Sequence, residues 1–257
     1  MSMLSAAELD ALMRAAFADK AAEPAFFLAL LEATVYAHTP RSDRQGRLRF
    51  MQFPLPDSGH MVLPFFSEET QARAAAGTTA KVVALTGRDL FELTRGATLM
   101  LNPNGTNCTL YPEEIAALLD RGEVAIVDKF TVPEPKLMDF REPEPSPTWL
   151  IDPLLALYAQ LPCVESAYLV EMKAHDDPDP DHAGWLIALA VASANSERAV
   201  RATITIIQSL CREHTMAVDL MTFVPDVPPG WVREVGIGPF YTRALGQRMV
   251  AGTISVQ

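Results

Sequence analysis

The first third of the chain changes from a helical to a strand spacing of apolar residues. Ser5 and Glu8 form the capping-box pattern of a helix N-terminus, and the apolar residues that follow are spaced as one helix face. A second helix is predicted from Pro24, because proline is favoured in a first helical turn. Ser67 is expected to cap a later helix. Apolar β-rich runs predict strands at 33–37, 48–53, 61–66 and 81–85.

The clearest succession of elements begins with an apolar run at 98–101, which predicts a buried strand. Asn104-Gly105 is the dipeptide that most readily forms a type I′ turn, so a hairpin is expected. Pro112 then begins an amphipathic helix, and Gly122 is expected to end it. A further apolar run predicts a strand at 124–127.

The second half of the chain combines two helices and three strands. The helices are predicted at 148–160 and after Asn195, and the strands at 164–172, 185–191 and 216–224. The order helix, strand, strand, helix, strand predicts an antiparallel sheet covered on one face. The buried face of the second helix is assigned to Val200, Ile204, Ile207 and Cys211.

These patterns predict an α+β protein with an α/β-like N-terminal half. Prolines and glutamates alternate at 131–147, a composition that favours an extended interdomain linker. We therefore expect two domains, each a mixed or antiparallel sheet covered by helices. The N-terminal domain is assigned to 1–130 and the C-terminal domain, with an extended tail from 226, to 148–257.

Composition and charge exclude several partner classes. Hydrophobic residues make up 49% of the 257 residues, and the net charge is -11, which disfavours nucleic acid and anionic membranes as partners. No signal peptide and no apolar run of membrane-spanning length is visible. The three cysteines are widely spaced and odd in number, so we expect a reducing, cytoplasmic compartment.

Several of these segments resemble the SseB family, the enhanced serine sensitivity proteins of bacteria. In the N-terminal half the resemblance rests on the segments Met61–Glu69, Leu99–Pro103 and Leu110–Ile115. In the second half it rests on Ala167–Met172, the long helix and Pro239-Phe240-Tyr241. The resemblance implies a two-domain cytoplasmic protein, tied by its name to serine sensitivity and by suggestion to sulfur-amino-acid metabolism. It implies no catalytic residue, and we assign none.

An acidic loop is the strongest metal-site candidate in the sequence. Asp177, Asp179 and Asp181 match the first half of a calcium loop, but His182 stands where glycine is needed and Ala188 where a bidentate glutamate is needed. The favoured interpretation is a solvated loop that protects a hairpin from aggregation. We expect neither a metal nor a cofactor.

The turn after residue 101 offers the ligand-binding candidates Asn102, Asn104 and Cys108. As a nucleophile, Cys108 needs a base, and His38 or His60 would have to approach it in space. The favoured alternative is a packed thiol on a return strand.

One basic cluster stands out in an otherwise acidic chain. Its members are Arg41, Arg44, Arg47 and Arg49. Such a cluster is able to bind an anion or an acidic partner, although a solvated loop is the favoured interpretation.

Three functions follow from these observations. The first is a non-enzymatic binding, adaptor or regulatory protein with a protein partner, which the absence of a catalytic motif favours; a homodimer is an open possibility. The second is a ligand sensor or enzyme of amino-acid or sulfur metabolism, with a pocket at the N-terminal turn or between domains. The third is a secretion- or stress-associated accessory protein. Candidates for a partner surface are Phe65, Phe66, Trp231, Phe240 and Tyr241, although most of these are expected to belong to the core.

Overall fold

The computed structural model describes residues 5–41, 48–56, 59–127, 137–176, 179, 183–210, 217–234 and 236–243. The chain divides into two compact units, Met1–Val127 and Asp128–Gln257. Each unit is built around a mixed sheet with helices, which makes the fold α+β, as the sequence predicts. No helix in the described ranges has the length and apolar character needed to cross a lipid bilayer.

The first unit contains a sheet whose main strands lie in the order β4-β1-β3-β5-β6, with β2 paired to β3. Strands β3 and β5 are parallel and the other pairs are antiparallel. The elements are α1 (Ala6–Ala18), α2 (Glu23–Glu32), β1 (Thr34–Pro40), β2 (Phe53–Pro54), β3 (Met61–Phe66), α3 (Glu69–Ala76), β4 (Ala80–Thr86), α4 (Gly87–Leu93), β5 (Thr98–Leu101), β6 (Cys108–Leu110) and α5 (Pro112–Arg121).

Helices cover the two faces of this sheet unequally. Buried side chains of α1, α2, α4 and α5 form one core with alternate residues of the strands, including Val35, Leu63 and Leu99. Helix α3 lies against the opposite face. There the buried ring of His38 donates from Nε2 to the carbonyl oxygen of Ala72 at 2.8 Å. Alternate residues of β1 therefore contact different helices: one set faces α1, α2, α4 and α5, and the other set faces α3.

Gly87 allows α4 to begin close to the end of α2. Its amide donates to the carbonyl oxygen of Ala33 at 2.9 Å. A Cβ atom built at this position would lie 2.0 Å from the carbonyl oxygen of Leu30, a distance that backbone atoms cannot tolerate. The missing side chain thus sets the spacing between the two helices.

The predicted hairpin is confirmed, but its turn differs from the prediction. Leu101 pairs with Cys108, so the connection spans six residues. Asn102, with φ of 48°, adopts the left-handed conformation that was expected of Asn104-Gly105. The prediction of a strand at 124–127 is wrong, because these residues pair with no strand in the described structure.

The second unit contains a sheet in the order β10-β9-β8-β11, with β7 paired to the same edge of β8 as β11. Its elements are β7 (Met138–Arg141), α6 (Thr148–Gln160), β8 (Val164–Ala174), β9 (Gly184–Val191), α7 (Ser196–Leu210), β10 (Val218–Phe223), α8 (Gly230–Glu234) and β11 (Tyr241–Thr242).

The antiparallel arrangement predicted for this half is wrong at one strand. Strand β10 pairs with β9 in parallel, Val218 opposite Trp185 and Phe223 opposite Ala190. The 15-residue helix α7 returns the chain to the starting end of the sheet. A crossover of this length is what a parallel neighbour requires.

Helices α6 and α7 cover one face of the second sheet. Tyr158 of α6 lies fully buried at the centre of this core. Its hydroxyl is 3.2 Å from that of Thr203 on α7, and its carbonyl oxygen accepts from the hydroxyl of Tyr241 at 2.9 Å. These bonds satisfy the polar groups that burial removes from water.

Parts of the predicted linker and tail belong to the second sheet. Within the segment 131–147, Met138–Arg141 is strand β7, and the rings of Pro143 and Pro147 are buried. Within the segment 226–257, α8 and β11 are ordered elements, and Tyr241 docks onto the core as expected. The prolines at 143, 145 and 147 lie in the connection between β7 and α6, so the composition that suggested a linker belongs in part to a connection within the second unit.

Candidate functional site

The predicted turn site lies where two adjacent parallel strands end. Strand β3 is followed by Ser67 and strand β5 by Asn102, and Phe65 is paired with Leu101 just before them. In open sheets with parallel strands, ligands bind most often beyond the carboxyl ends of such strands. The position is therefore suitable for a ligand-binding site, provided that the polar side chains there are free to contact a ligand.

The side chain of Asn102 is already occupied. Its Oδ1 accepts from the Ser67 amide at 3.0 Å, and its Nδ2 donates to Ser67 Oγ at 3.0 Å. Both residues are 4% exposed. Ser67, which was expected to cap α3, instead joins the ends of β3 and β5 through Asn102. The pair consequently acts as a buried polar cross-link within the sheet.

The other two candidates of this turn have different surroundings. Asn104 is exposed at the tip of the connection, whereas Cys108 is half-buried on β6 and packs against the core. His38 is engaged with Ala72 and lies 5.0 Å from the ring of Phe66, so it serves the packing of α3. The ligand-binding role of Asn102, Asn104 and Cys108 stays a prediction.

The acidic loop is only partly described. Asp179 is exposed, and Asp177, Asp181 and His182 lie outside the described residues. Nearby, His175 Nδ1 lies 2.9 Å from Asp139 Oδ1, between exposed side chains. Within the described ranges, no group of three or more His, Cys, Asp or Glu side chains is arranged to hold a metal ion.

A different feature emerges on the face of the second sheet that α6 and α7 leave uncovered. We call it the Met-aromatic face, because six half-buried side chains of these types lie over a fully buried layer that includes Val170 and Ala188. Its members are Phe140, Tyr168, Met172, Met221, Phe223 and Trp231.

The register explains why these side chains meet. Tyr168 and Met221 both pair with Ala188, one from each side, so their side chains emerge on the same face. Tyr168 stands opposite Ala188 and Phe223 opposite Ala190, and the centroids of their rings are 6.0 Å apart. Small residues on the central strand thus create room for large residues on its neighbours.

One edge of the Met-aromatic face ends at strand β10. Within the described residues, β10 is the last strand of the sheet on that side. Val224, which directly follows it, and Val227, three residues further on, are 43% and 69% exposed. Asp219 is the single Asp, Glu, Lys or Arg among the described strand residues of this face. The surface is therefore apolar, with a negative charge at its open edge.

The sequence pattern held a signal for this face that was missed. Asp219, Met221 and Phe223 alternate with residues that face the helices, and Tyr168 and Met172 alternate in the same way along β8. Of the aromatic candidates for a partner surface, Phe65 and Phe66 are 0% and 1% exposed and belong to the core, as was expected of most of them. Tyr241 is also buried, whereas Trp231 belongs to the Met-aromatic face.

Comparison with known families decides the affiliation of both units. The family model of the SseB protein N-terminal domain matches residues 9–117, and that of the SseB protein C-terminal domain matches residues 132–243. The chain belongs to the SseB family. The C-terminal match begins before β7, so the SseB family pattern includes the strand that the sequence suggested was a linker.

Individual SseB proteins show the same relationship. The proteins named Protein SseB from Escherichia coli (strain K12) and from Shigella flexneri are each 27% identical to this chain over 203 residues. The alignment covers 76% of this chain and 76% of each relative. No solved structure matches the chain.

Proposed function

We propose that this SseB-family protein is a non-enzymatic binding protein. In this proposal, an extended segment of a partner protein adds to the free edge of β10 and covers the Met-aromatic face. The observation that carries the proposal is the unpaired position of β10, within the described residues, beside a half-covered apolar surface. Strand addition at a sheet edge is a common mode of peptide recognition.

The backbone of β10 supplies the polar part of such a site. The amide of Trp185 donates to the carbonyl oxygen of Ala217 at 2.9 Å. Along a strand, the amide and carbonyl of one residue point to the same side, and successive residues alternate. The register therefore directs the groups of Val218, Leu220 and Thr222 away from β9, towards the open edge.

The side chains supply the specificity. Methionine and aromatic residues are enriched in protein interfaces, because aromatic rings bury large areas and the flexible thioether of methionine adapts to irregular surfaces. Asp219 lies on the same face as Met221 and Phe223, and Asp226 is exposed just beyond them. Residues of an added strand that face Met221 and Phe223 also face Asp219, so a partner segment with apolar residues and a basic residue on the same face fits best.

Alternative functions have weaker support. A small-molecule pocket at the N-terminal turn would use the amide of Asn102, which Ser67 already binds. A cytoplasmic location and a connection with serine or sulfur-amino-acid metabolism are part of the proposal and rest on the cysteine spacing and on the family resemblance.

A pair of defined peptides tests the proposal. In one nine-residue peptide, the lysine-valine peptide, the face formed by the odd positions has lysine at positions 1 and 9 and valine at 3, 5 and 7, and the even positions are threonine. In the glutamate-valine peptide, glutamate replaces both lysines, and binding of each is followed by fluorescence polarisation. We expect the lysine-valine peptide to bind more tightly, with an affinity that falls as salt rises. The variant Asp219→Lys should weaken that binding by about tenfold, which corresponds to roughly 1.4 kcal/mol.

Matched controls separate specific from general effects. Asp152 is exposed on α6, which covers the opposite face of the sheet, so Asp152→Lys changes the net charge equally and should leave binding unchanged. Equal binding of the two peptides, or an equal loss in Asp152→Lys, would contradict the proposal. Dimerisation through β10, seen in sedimentation and abolished by Met221→Glu, would identify a second copy as the occupant instead.

A further inference from the structure

A basic depression lies on the first unit, separate from the proposed protein-binding surface. It has a volume of about 380 Å³ and lies where β1 ends, α3 ends and β4 begins. Three cationic residues, Arg41, Arg73 and Lys81, line it. No carboxylate is among its described lining residues, although acidic residues outnumber basic ones in the chain by 32 to 21.

Small residues keep this depression open. Ala76 and Ala80 form a buried floor, and Gly77 ends α3 with a φ of 52°, which disfavours residues that carry a side chain. A Cβ atom at Gly77 would meet no atom within 4 Å, so the backbone here faces open space. A ligand is consequently able to approach the main chain between the cationic side chains.

The cations differ in how far they are already neutralised. Arg73 donates to Glu69 Oε1, one helical turn earlier, from Nε at 2.8 Å and from Nη2 at 2.5 Å, and its side chain remains 69% exposed. Arg41 and Lys81 are exposed and have no ion pair among the described residues. Three positive charges and the single negative charge of Glu69 leave a local charge of about +2.

We propose that this depression binds the phosphoryl group of a small phosphomonoester. Such a group carries nearly two negative charges at pH 7, which matches the local charge. The guanidinium group of Arg41 presents the planar donors that phosphate oxygens accept bidentately, and Arg73 and Lys81 add positive charge beside it. A monocarboxylate would leave one cation unmatched. A depression of this volume suits a small molecule better than a folded partner.

This site differs from the basic cluster that the sequence suggested. The sequence grouped Arg41 with Arg44, Arg47 and Arg49, and Arg44 and Arg47 lie outside the described residues. The structure instead brings Arg41 beside Arg73 and Lys81, from elements that are distant along the chain. Pairing of Pro40 with Ala80 at the ends of β1 and β4 produces this proximity.

Calorimetric titration of the full chain with glycerol 3-phosphate, at constant ionic strength, tests the assignment. We expect saturable binding with one site, at least fivefold weaker in Arg41→Gln and in Lys81→Gln. Urea midpoints of both variants should stay unchanged, because the two side chains are exposed. A lowered midpoint with unchanged binding would show that the cations only stabilise the end of α3, and would overturn the proposal.

A third variant controls for net charge. Arg95 pairs with Asp120 at 2.9 Å and is not a lining residue, so Arg95→Gln should bind glycerol 3-phosphate as the wild type does. Equal weakening in Arg95→Gln, an absence of saturable binding, or tighter binding of a phosphoserine peptide would each contradict a small-molecule site. The lysine-valine peptide should bind the Arg41 and Lys81 variants normally, so failure here is distinguishable from failure of the proposed function.

Discussion

The indole ring of Trp231 stacks on the phenyl ring of Phe140, with centroids 5.0 Å apart and planes at 21°. Phe140 lies on β7 and Trp231 on α8, so the stack joins two segments that the sequence placed outside the sheet, as linker and tail. Both segments thereby cover part of the Met-aromatic face, and they set how much of it remains open.

Loss of this stack should destabilise the second unit. We expect Trp231→Ala to lower the free energy of unfolding by about 2 kcal/mol, less than a fully buried tryptophan would cost, because the ring is half-buried. Trp231→Phe preserves ring contact and should cost less than half of that. Urea denaturation followed by circular dichroism measures both, and equal losses in the two variants would show that stacking is unimportant.

The buried hydrogen bonds of Asn102 should contribute more to the free energy of unfolding than the exposed side chain of Asn104. Asn102→Ala loses the bonds to Ser67 and places alanine at a φ of 48°, so a cost of about 3 kcal/mol is expected. Asn102→Gly tolerates the backbone conformation and should cost about 1 kcal/mol less. Asn104→Ala, at the exposed tip, should be neutral within about 0.5 kcal/mol. Thermal unfolding that ranks the three variants otherwise would contradict this role.

Local signals in the sequence predict the first unit well. The capping box of Ser5 and Glu8 is present, and Gly122 ends α5 with a φ of 68°. The hairpin was correctly predicted while its turn was not, because the bond between Asn102 and Ser67 draws the left-handed residue to the end of β5. That contact joins residues 35 positions apart, and no local propensity encodes it.

Helix α7 shows where periodicity misleads. The sequence assigned its buried face to Val200, Ile204, Ile207 and Cys211, of which Cys211 lies outside the described residues. The structure buries Ala199, Ala202 and Thr203 against α6, together with Ile207. Small residues allow close helix packing, and the hydroxyl of Thr203 is satisfied by the Ala199 carbonyl at 2.7 Å. A prediction from hydrophobicity alone therefore ranks alanine and threonine too low as candidates for the buried face of a helix.

The ionisation of Tyr158 should make the second unit sensitive to alkali. Burial raises the pKa of its hydroxyl above the ordinary value of 10.0. Above pH 10 the unfolded chain releases this proton while the folded chain retains it, so stability is complete below pH 10 and falls as pH rises further. The expected slope is about 1.4 kcal/mol per pH unit for one tyrosine.

The variant Tyr158→Phe isolates this contribution. It loses the hydrogen bond to Thr203, so its stability at pH 7 should fall by about 1 kcal/mol. Between pH 10 and 11.5, however, its stability should decline less steeply than that of the wild type. Burial also raises the pKa of Tyr241, so some decline remains in the variant. Identical slopes in urea titrations of the two proteins would refute the assignment.

The candidate sites were less predictable than the fold, for a physical reason. Asn102 and Cys108 drew attention because their chemistry is visible in a single residue, yet one is bonded within the sheet and the other packs on the core. The Met-aromatic face and the basic depression arise from strand register and from pairing at strand ends. Such features appear only when distant segments have been placed beside one another.

Hydrogen exchange at the open edge of β10 tests the binding proposal most directly. In the free protein, the amides of Val218, Leu220 and Thr222 should exchange rapidly, because they point away from β9. With saturating lysine-valine peptide, nuclear magnetic resonance should show at least tenfold slower exchange at these three positions and little change elsewhere in the sheet. Unchanged exchange at all three, or equal protection by the glutamate-valine peptide, would contradict the proposal.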